Sequence, residues 1–462
     1  MTSLIHWIII LTFIFQGLFP PASSLLQVAQ QTLSAESFSI RIHPDQPLEV
    51  GDIASFEIFA AQGVDVHDQQ ITISLVSSGS KVIGKSPFAI TGENKFRALL
   101  MWAWDTHGLA PGEFTLSYAI QPAGITWQQK LQLNPVPPGP SFKWAAVETA
   151  CCIVHYITGT RPERDLALLL PEINTQFQLV ETQLSHVMPK KVDINLLPRI
   201  LGQGGFTTDE VYLSDPELNY VDTDLPVVLH HELVHVVDLD IGGKFRPLLL
   251  VEGLAVYLTG GHYRTEPLLQ RAATLVDSGT YIPLPNLADN FYAWQHEISY
   301  LEAGSLVSYM VNAWGWKAYD NFYRDIEPIL SASDSTVIDH ALQAHFGLSF
   351  RQLDDRFYTF LKSIPINPDL DSDVIATADL FDTIRAYQQK LDPTAFFQEV
   401  WLPDANQMRE RGITADFLRR DETSENIEIE AMLVQAGEAW KKGDFNGTER
   451  LIFATKQKIA GG

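Results

Sequence analysis

Over residues 37–133 apolar and polar side chains alternate in short runs. Phe38-Ser39-Ile40-Arg41-Ile42 alternates, as do 55–59, 70–75, 96–102 and 114–119, the period of a strand with one face buried. Val50-Gly51-Asp52, Thr91-Gly92-Glu93-Asn94 and Ala110-Pro111-Gly112-Glu113 supply the turns between them. Short strands at this spacing predict an antiparallel, immunoglobulin-like β-sandwich over 36–134. Its aromatic residues are expected mainly in the core. Asn134-Pro135-Val136-Pro137-Pro138-Gly139-Pro140 then reads as a stiff linker.

The pattern changes after the linker. Residues 151–156 and 192–197 read as strands flanking a long amphipathic helix over 163–187, and a third strand is expected around Glu210-Val211-Tyr212-Leu213. Next comes a segment that is apolar nearly all round: Val227, Val228, Leu229, Leu233, Val234, Val236 and Val237 leave no wholly polar face, which predicts a buried helix. Asp224 suits its N-cap, Pro226 its first turn and Gly242-Gly243 its end. A second buried helix is expected over 247–258, where Gly253 and Ala255 would allow close packing on the first. A linker at 364–369 leads to a charged helical region over 375–460. Its last part, 427–442 and 448–458, resembles one tetratricopeptide-type hairpin without a repeat, a helical appendage.

Composition narrows the function classes. A formal charge of −24 argues against a phosphate-binding surface, hence against nucleic acid, and against a polybasic membrane patch. No charged residue precedes Glu36, and residues 4–19 form an apolar run ending in Pro20-Pro21-Ala22-Ser23-Ser24. Residues 1–24 therefore read as a signal peptide or an N-terminal membrane tether, placing the rest of the chain outside the cytoplasm. The two cysteines, Cys151 and Cys152, are adjacent. On a strand their side chains would point to opposite faces, so no disulfide between them is expected.

The candidate chemistry lies in the buried helices. Burying His231, Glu232 and His235 among valines and leucines is costly without compensation. His231 and His235, four apart, leave one helix face and can reach one Zn²⁺, while Glu232, about 100° round the helix, can take the proton of a zinc-bound water. Glu252 is the one carboxylate of the second helix, and a lone buried carboxylate calls for a cation; a third zinc ligand is its natural role. His230 has no partner at i+4 and reads as a wall residue. Asp238, one turn beyond His235, suits a partner for a ligand imidazole.

His231-Glu232-Leu233-Val234-His235 followed by Val251-Glu252-Gly253-Leu254-Ala255-Val256-Tyr257 resembles the gluzincin metallopeptidases, with a thermolysin-like zinc site, and is most similar to bacterial peptidase MA-like domains. The likeness continues through 300–310 and 341–350. It implies a zincin-like α+β catalytic domain over 141–363, with Zn²⁺ on His231, His235 and Glu252, Glu232 as general base and Tyr300 steadying the oxyanion; His296 is an alternative donor. Three features depart from it. Only sixteen residues separate His235 from Glu252, Val256 stands where thermolysin-like enzymes carry an aspartate, and Gly202-Gln203-Gly204-Gly205-Phe206 offers no acid for a substrate's amino terminus. The expectation is a multidomain α+β protein: β-sandwich, metallopeptidase domain acting on a peptide or protein, and C-terminal helical region. The alternative is an inactive zincin fold serving as a binding module of the cell envelope. Nothing in the sequence speaks to oligomeric state.

Overall fold

The computed structural model describes residues 33–43, 48–76, 80–91, 95–135, 142–198, 204–221, 224–391, 409–412, 414 and 424–461. The expected signal or tether segment, 1–24, lies outside these residues, as do most of the proline-rich linker and Gly202-Gln203. No helix among the described residues is long and apolar enough to cross a membrane.

The chain is mixed α+β, as its patterning predicts. Strands β1 (Phe38–His43), β3 (Ile53–Ala60), β7 (Lys95–Asp105) and β6 (Ala89–Thr91) form one sheet in that order. The second has the order β2 (Leu48–Glu49), β9 (Ile125–Asn134), β8 (Gly112–Gln121), β4 (Gln70–Leu75) and β5 (Lys81–Pro87). Their inner faces share one core that includes Phe56, Ile58, Ile71, Ile73, Tyr118 and Leu133. The pairing is antiparallel except for the two-residue β2, which runs parallel to β9. Strand β9 is the main strand that the alternation does not single out. Gln129 takes an inward-alternating position where an apolar residue is expected, and it accepts a hydrogen bond from the Tyr118 hydroxyl (3.0 Å).

Trp102 departs from the sandwich core. Its φ of 48° lies in the left-handed region, uncommon for a bulky residue. The β3–β7 register shifts nearby, between Ala54 and Phe56, and the buried Ser55 hydroxyl accepts from the Trp102 amide at 2.7 Å. So turned, Trp102 joins a small second cluster with Ile53, Ile157, Leu197 and Tyr212, which cements the sandwich to the next sheet.

That sheet has the order β10 (Trp144–Glu148), β11 (Cys152–Ile157), β12 (Val192–Leu197), β14 (Val211–Ser214) and β13 (Gly205–Thr207). β11, β12 and β14 run parallel, while the edges β10 and β13 are antiparallel to their neighbours. Contrary to expectation, Cys151 and Cys152 are joined in a disulfide. Cys151 sits in the bend before β11, so the strand alternation that argued against the bond does not apply to it.

Helix α1 (Arg161–Leu184) packs on β11 and on α2 (Leu225–Ile241), and α2 contacts β13 and β14. Asp224 occupies the α2 N-cap without a side-chain cap bond, and Gly242 ends the helix at φ 83°. Helix α3 (Leu248–Thr259) follows, then α4 (Leu268–Ser278), α5 (Leu284–Asp289), α6 (His296–Trp314), α7 (Trp316–Arg324), α8 (Asp334–Phe346), α9 (Phe350–Ser363), α10 (Pro368–Leu391), α11 (Ser424–Lys441) and α12 (Phe445–Gly461). Gly253 does not face α2 as expected. A Cβ there would meet the Ala303 carbonyl oxygen of α6 at 2.7 Å, and one at Gly304 of α6 would meet the Cβ of Val256 at 2.8 Å. The two glycines thus seat α3 and α6 on each other. The last helices are more than an appendage, because one apolar core runs from Cys152 through Phe381, Leu433 and Trp440 to Ile452.

This seating generates a stability test. Gly304→Ala places a methyl against the backbone-fixed Val256 Cβ, and overpacking of this kind costs about 1–3 kcal/mol. Adding Val256→Ala should recover part of that loss, a non-additivity visible in urea midpoints. Equal midpoints for wild type and Gly304→Ala would show that the helices are not in this contact.

Candidate metal centre

Helices α2 and α3 bring three ligand-type groups together in the interior. His231 Nε2 lies 3.1 Å from His235 Nε2 and 3.3 Å from Glu252 Oε2, and His235 Nε2 lies 3.2 Å from the same oxygen. Tetrahedral zinc with bonds of about 2.0–2.1 Å has ligand–ligand edges of about 3.3–3.4 Å, so the triangle is close to three vertices of such a site. Two imidazoles and a carboxylate are also a donor set that zinc accepts. His231 and Glu252 are buried and His235 nearly so, which favours an ion over a hydrated cluster.

The electrostatics of the three groups are coupled. Burial works against a charge on Glu252, yet His235 and His231 hold its carboxyl well below the usual range. Burial would likewise lower His235, but Glu252 and Glu232 outweigh it and raise the imidazole to about 9. His231 is lowered, chiefly by burial. Without a metal, a proton on His235 is the charge that balances Glu252; a cation at the same point would replace it.

Glu232 sits beside this triangle with a different set of partners. The Thr207 hydroxyl donates to its Oε2 at 2.8 Å, against burial that pushes the carboxyl up. Thr207 belongs to the edge strand β13, which approaches α2 closely because Gly205 has no side chain. A Cβ there would lie 2.7 Å from Val228 Cγ1 and 3.2 Å from Glu232 Cγ. Gly205 therefore serves helix–strand approach. Thr207 itself is one of many surface-type threonines by sequence, and no spacing rule points to it.

A second cluster adjoins the first. His262 Nδ1 lies 3.3 Å from Glu297 Oε2, and His296 Nδ1 lies 3.1 Å from Glu297 Oε1. Each oxygen serves one imidazole, the pattern of a carboxylate accepting two hydrogen bonds. Burial lowers His262 to about 3 and His296 to about 4, keeping both rings neutral. His262 escapes sequence analysis because it belongs to no motif. The turn after α3, at Gly260-Gly261, brings it back over the site, where a Cβ on Gly261 would collide with the Arg264 carbonyl.

Tyr300 lies in this second cluster. Its ring stacks on His262 with centroids 3.8 Å apart and 9° between planes, His296 is at 4.4 Å and Phe291 meets it edge-on at 5.2 Å. The Tyr292 hydroxyl donates to Glu252 Oε1 at 3.0 Å. Tyr292 touches the triangle directly and is absent from the sequence expectation. It stands in an aromatic stretch, Asn290-Phe291-Tyr292-Ala293-Trp294, with no fixed offset from either motif.

His230 and Asp238 sit elsewhere. His230 faces α1, bonded to Gln176 (2.7 Å) and Gln183 (2.9 Å), so it is a packing residue of the α1–α2 interface. Asp238 is bound by Arg246 (3.0 Å), Arg324 (2.6 Å) and the Tyr323 hydroxyl (2.8 Å), not by a ligand imidazole. The expected role behind an imidazole is corrected by these contacts, since two guanidinium groups draw the carboxylate toward α7 and the 242–247 loop.

No family model matches this sequence, and no curated protein matches it. Among solved structures, the chain is similar to an M1 zinc metallopeptidase from Deinococcus radiodurans, with 12% identity, a TM-score of 0.33, and coverage of 71% of this chain and 94% of that one. It is also similar to an aminopeptidase N family protein from Idiomarina loihiensis, with 12% identity, a TM-score of 0.28, and coverage of 85% and 78%. At these values the likeness transfers no residue role, and the geometry of the site stands by itself.

The Asp238 contacts predict a separation of stability from metal binding. Asp238→Ala leaves two guanidinium groups without their shared carboxylate, a change that typically costs about 3–5 kcal/mol when the pair is buried. Zinc affinity of the folded fraction should stay within a few-fold of wild type. A loss of affinity without a loss of stability would restore Asp238 to a place behind the ligands.

Proposed function

We propose that this chain is a zinc metallopeptidase in which His231, His235 and Glu252 hold one Zn²⁺ and Glu232 is the general base. The observation that carries the proposal is the 3.1–3.3 Å triangle of Nε2, Nε2 and Oε2 with a separate, non-coordinating carboxylate beside it. Zinc in such a site supplies Lewis-acid polarisation to a water and to a scissile carbonyl. Glu232 follows His231 directly, so its carboxylate projects beside the triangle, where the Thr207 hydroxyl orients it. There it takes a proton from the attacking water and returns it to the leaving amine. Ionised Glu252, with the two imidazoles, holds the metal's charge in an apolar interior.

The substrate class follows from the neighbouring sheet. β13 is the terminal strand of its sheet and is tied to Glu232 through Thr207, so an extended peptide could pair along its open side within reach of the base. A peptide or protein substrate fits that edge. Nucleic acid does not fit a chain of charge −24. The apolar N-terminal segment supports a location outside the cytoplasm, as a secreted or membrane-tethered protein.

The purified protein should carry about one Zn²⁺ per chain by elemental analysis, and His231→Ala and His235→Ala should lose it. Glu232→Gln keeps shape and most hydrogen bonding but removes basicity. It should retain zinc and lose about 10²–10⁴-fold in peptide hydrolysis, the usual value of a general base. If wild type and Glu232→Gln are equally inert across a broad peptide library while both hold zinc, the fold is a binding module and not an enzyme.

A further inference from the structure

Glu252 uses its two oxygens differently. Oε2 faces both imidazoles, at 3.3 and 3.2 Å, whereas Oε1 accepts the Tyr292 hydroxyl at 3.0 Å. A carboxylate with one oxygen held in this way is turned to present the other to a metal. The distinction matters at a three-residue site, where a carboxylate binding through both oxygens would occupy the position needed by the reacting water.

We propose that Tyr292 is a positioning residue that makes Glu252 a one-oxygen metal ligand. The proposal rests on the metallopeptidase reading. A phenol has one proton to give, and Tyr292 gives it to Glu252. The imidazole side lacks an equivalent support at His231, whose Nδ1 is buried without a hydrogen-bond partner. Orientation of Glu252 in the triangle therefore falls on its bond with Tyr292. Tyr292 is carried by a single 3₁₀ turn, Phe291–Ala293, between α5 and α6, with its ring edge-on to Phe291 at 5.3 Å. That turn is then the element whose placement sets the ligand geometry.

The test is a zinc titration of the metal-free full chain against a chelator of known affinity, for wild type and Tyr292→Phe, with visible spectra of the Co²⁺-substituted proteins. Removing such a partner of a metal ligand typically weakens affinity about 10–100-fold, and that is the loss expected for Tyr292→Phe. Its Co²⁺ absorption should fall in intensity as the freed carboxylate binds through both oxygens. Wild-type affinity and spectrum in Tyr292→Phe would overturn the proposal and leave the metallopeptidase reading intact. So would a weakening fully accounted for by a lower melting temperature of the metal-free variant. A wild type that binds no zinc overturns the reading itself.

Discussion

The structure depends on holding two imidazoles and two carboxylates inside an apolar helix pair. His231, Glu232, His235 and Glu252 sit among Val227, Val228, Leu233, Val234, Leu250 and Leu254, where an unpaired charge would cost several kcal/mol. The 3.1–3.3 Å separations among His231, His235 and Glu252 make a cation the natural compensation, and without one the nearby Glu252 and Glu232 raise the His235 imidazole so that it carries the balancing proton. Helix α3 must therefore be fixed against α2 to within a fraction of an ångström. Gly253 of α3 and Gly304 of α6 seat those two helices on each other, which holds α3, the carrier of Glu252, in place.

Around the triangle the polar groups divide into two networks with separate tasks. One holds the carboxylates of the candidate site: Thr207 on Glu232, and Tyr292 on Glu252. The other braces the frame: Glu297 between His262 and His296, and Asp238 between Arg246 and Arg324. The C-terminal helices take part in the second. Tyr263, next to His262, stacks on Phe381 of α10 at 4.3 Å, and Arg264 lies 4.0 Å over Trp440 of α11 while ion-pairing with Asp373. A helical region that reads as separate in sequence is thus part of the wall behind the candidate site. The sandwich is joined at the opposite side through Trp102, over which Arg411 is placed at 5.2 Å.

Helical and strand periodicity made much of this legible without coordinates. The alternating runs around 38–42, 55–59, 70–75, 96–102 and 114–119 lie in β1, β3, β4, β7 and β8, and the all-apolar stretches lie in α2 and α3. Local chemistry also placed His231, Glu232 and His235 on one helix at offsets that allow a shared ion, because helix geometry converts spacing into direction. Glu252 stood out because a lone carboxylate in an apolar helix must be balanced by a cation or a proton.

What the tertiary structure alone decided are relations between residues that no local period links. Thr207, His262 and Tyr292 reach the site from an edge strand, a turn and a 3₁₀ segment, and their partners lie 25, 35 and 40 positions away. The direction of a hydroxyl or an imidazole nitrogen is set by packing of neighbours such as Gly205 and Gly261, which carry no chemistry of their own. Asp238 shows the same limit from the other side, since helical spacing aimed it near the ligand histidine while two arginines, distant in either sequence or element, determine where its carboxylate bonds. Sequence thus determined many of the elements and singled out His231, Glu232, His235 and Glu252, because periodicity and a charge left in an apolar helix are local features, whereas the grouping of His262, His296 and Glu297 came only from packing. The hydrogen bonds that orient those groups were decided only when the elements packed, because each bond joins side chains whose separation along the chain carries no information about their separation in space.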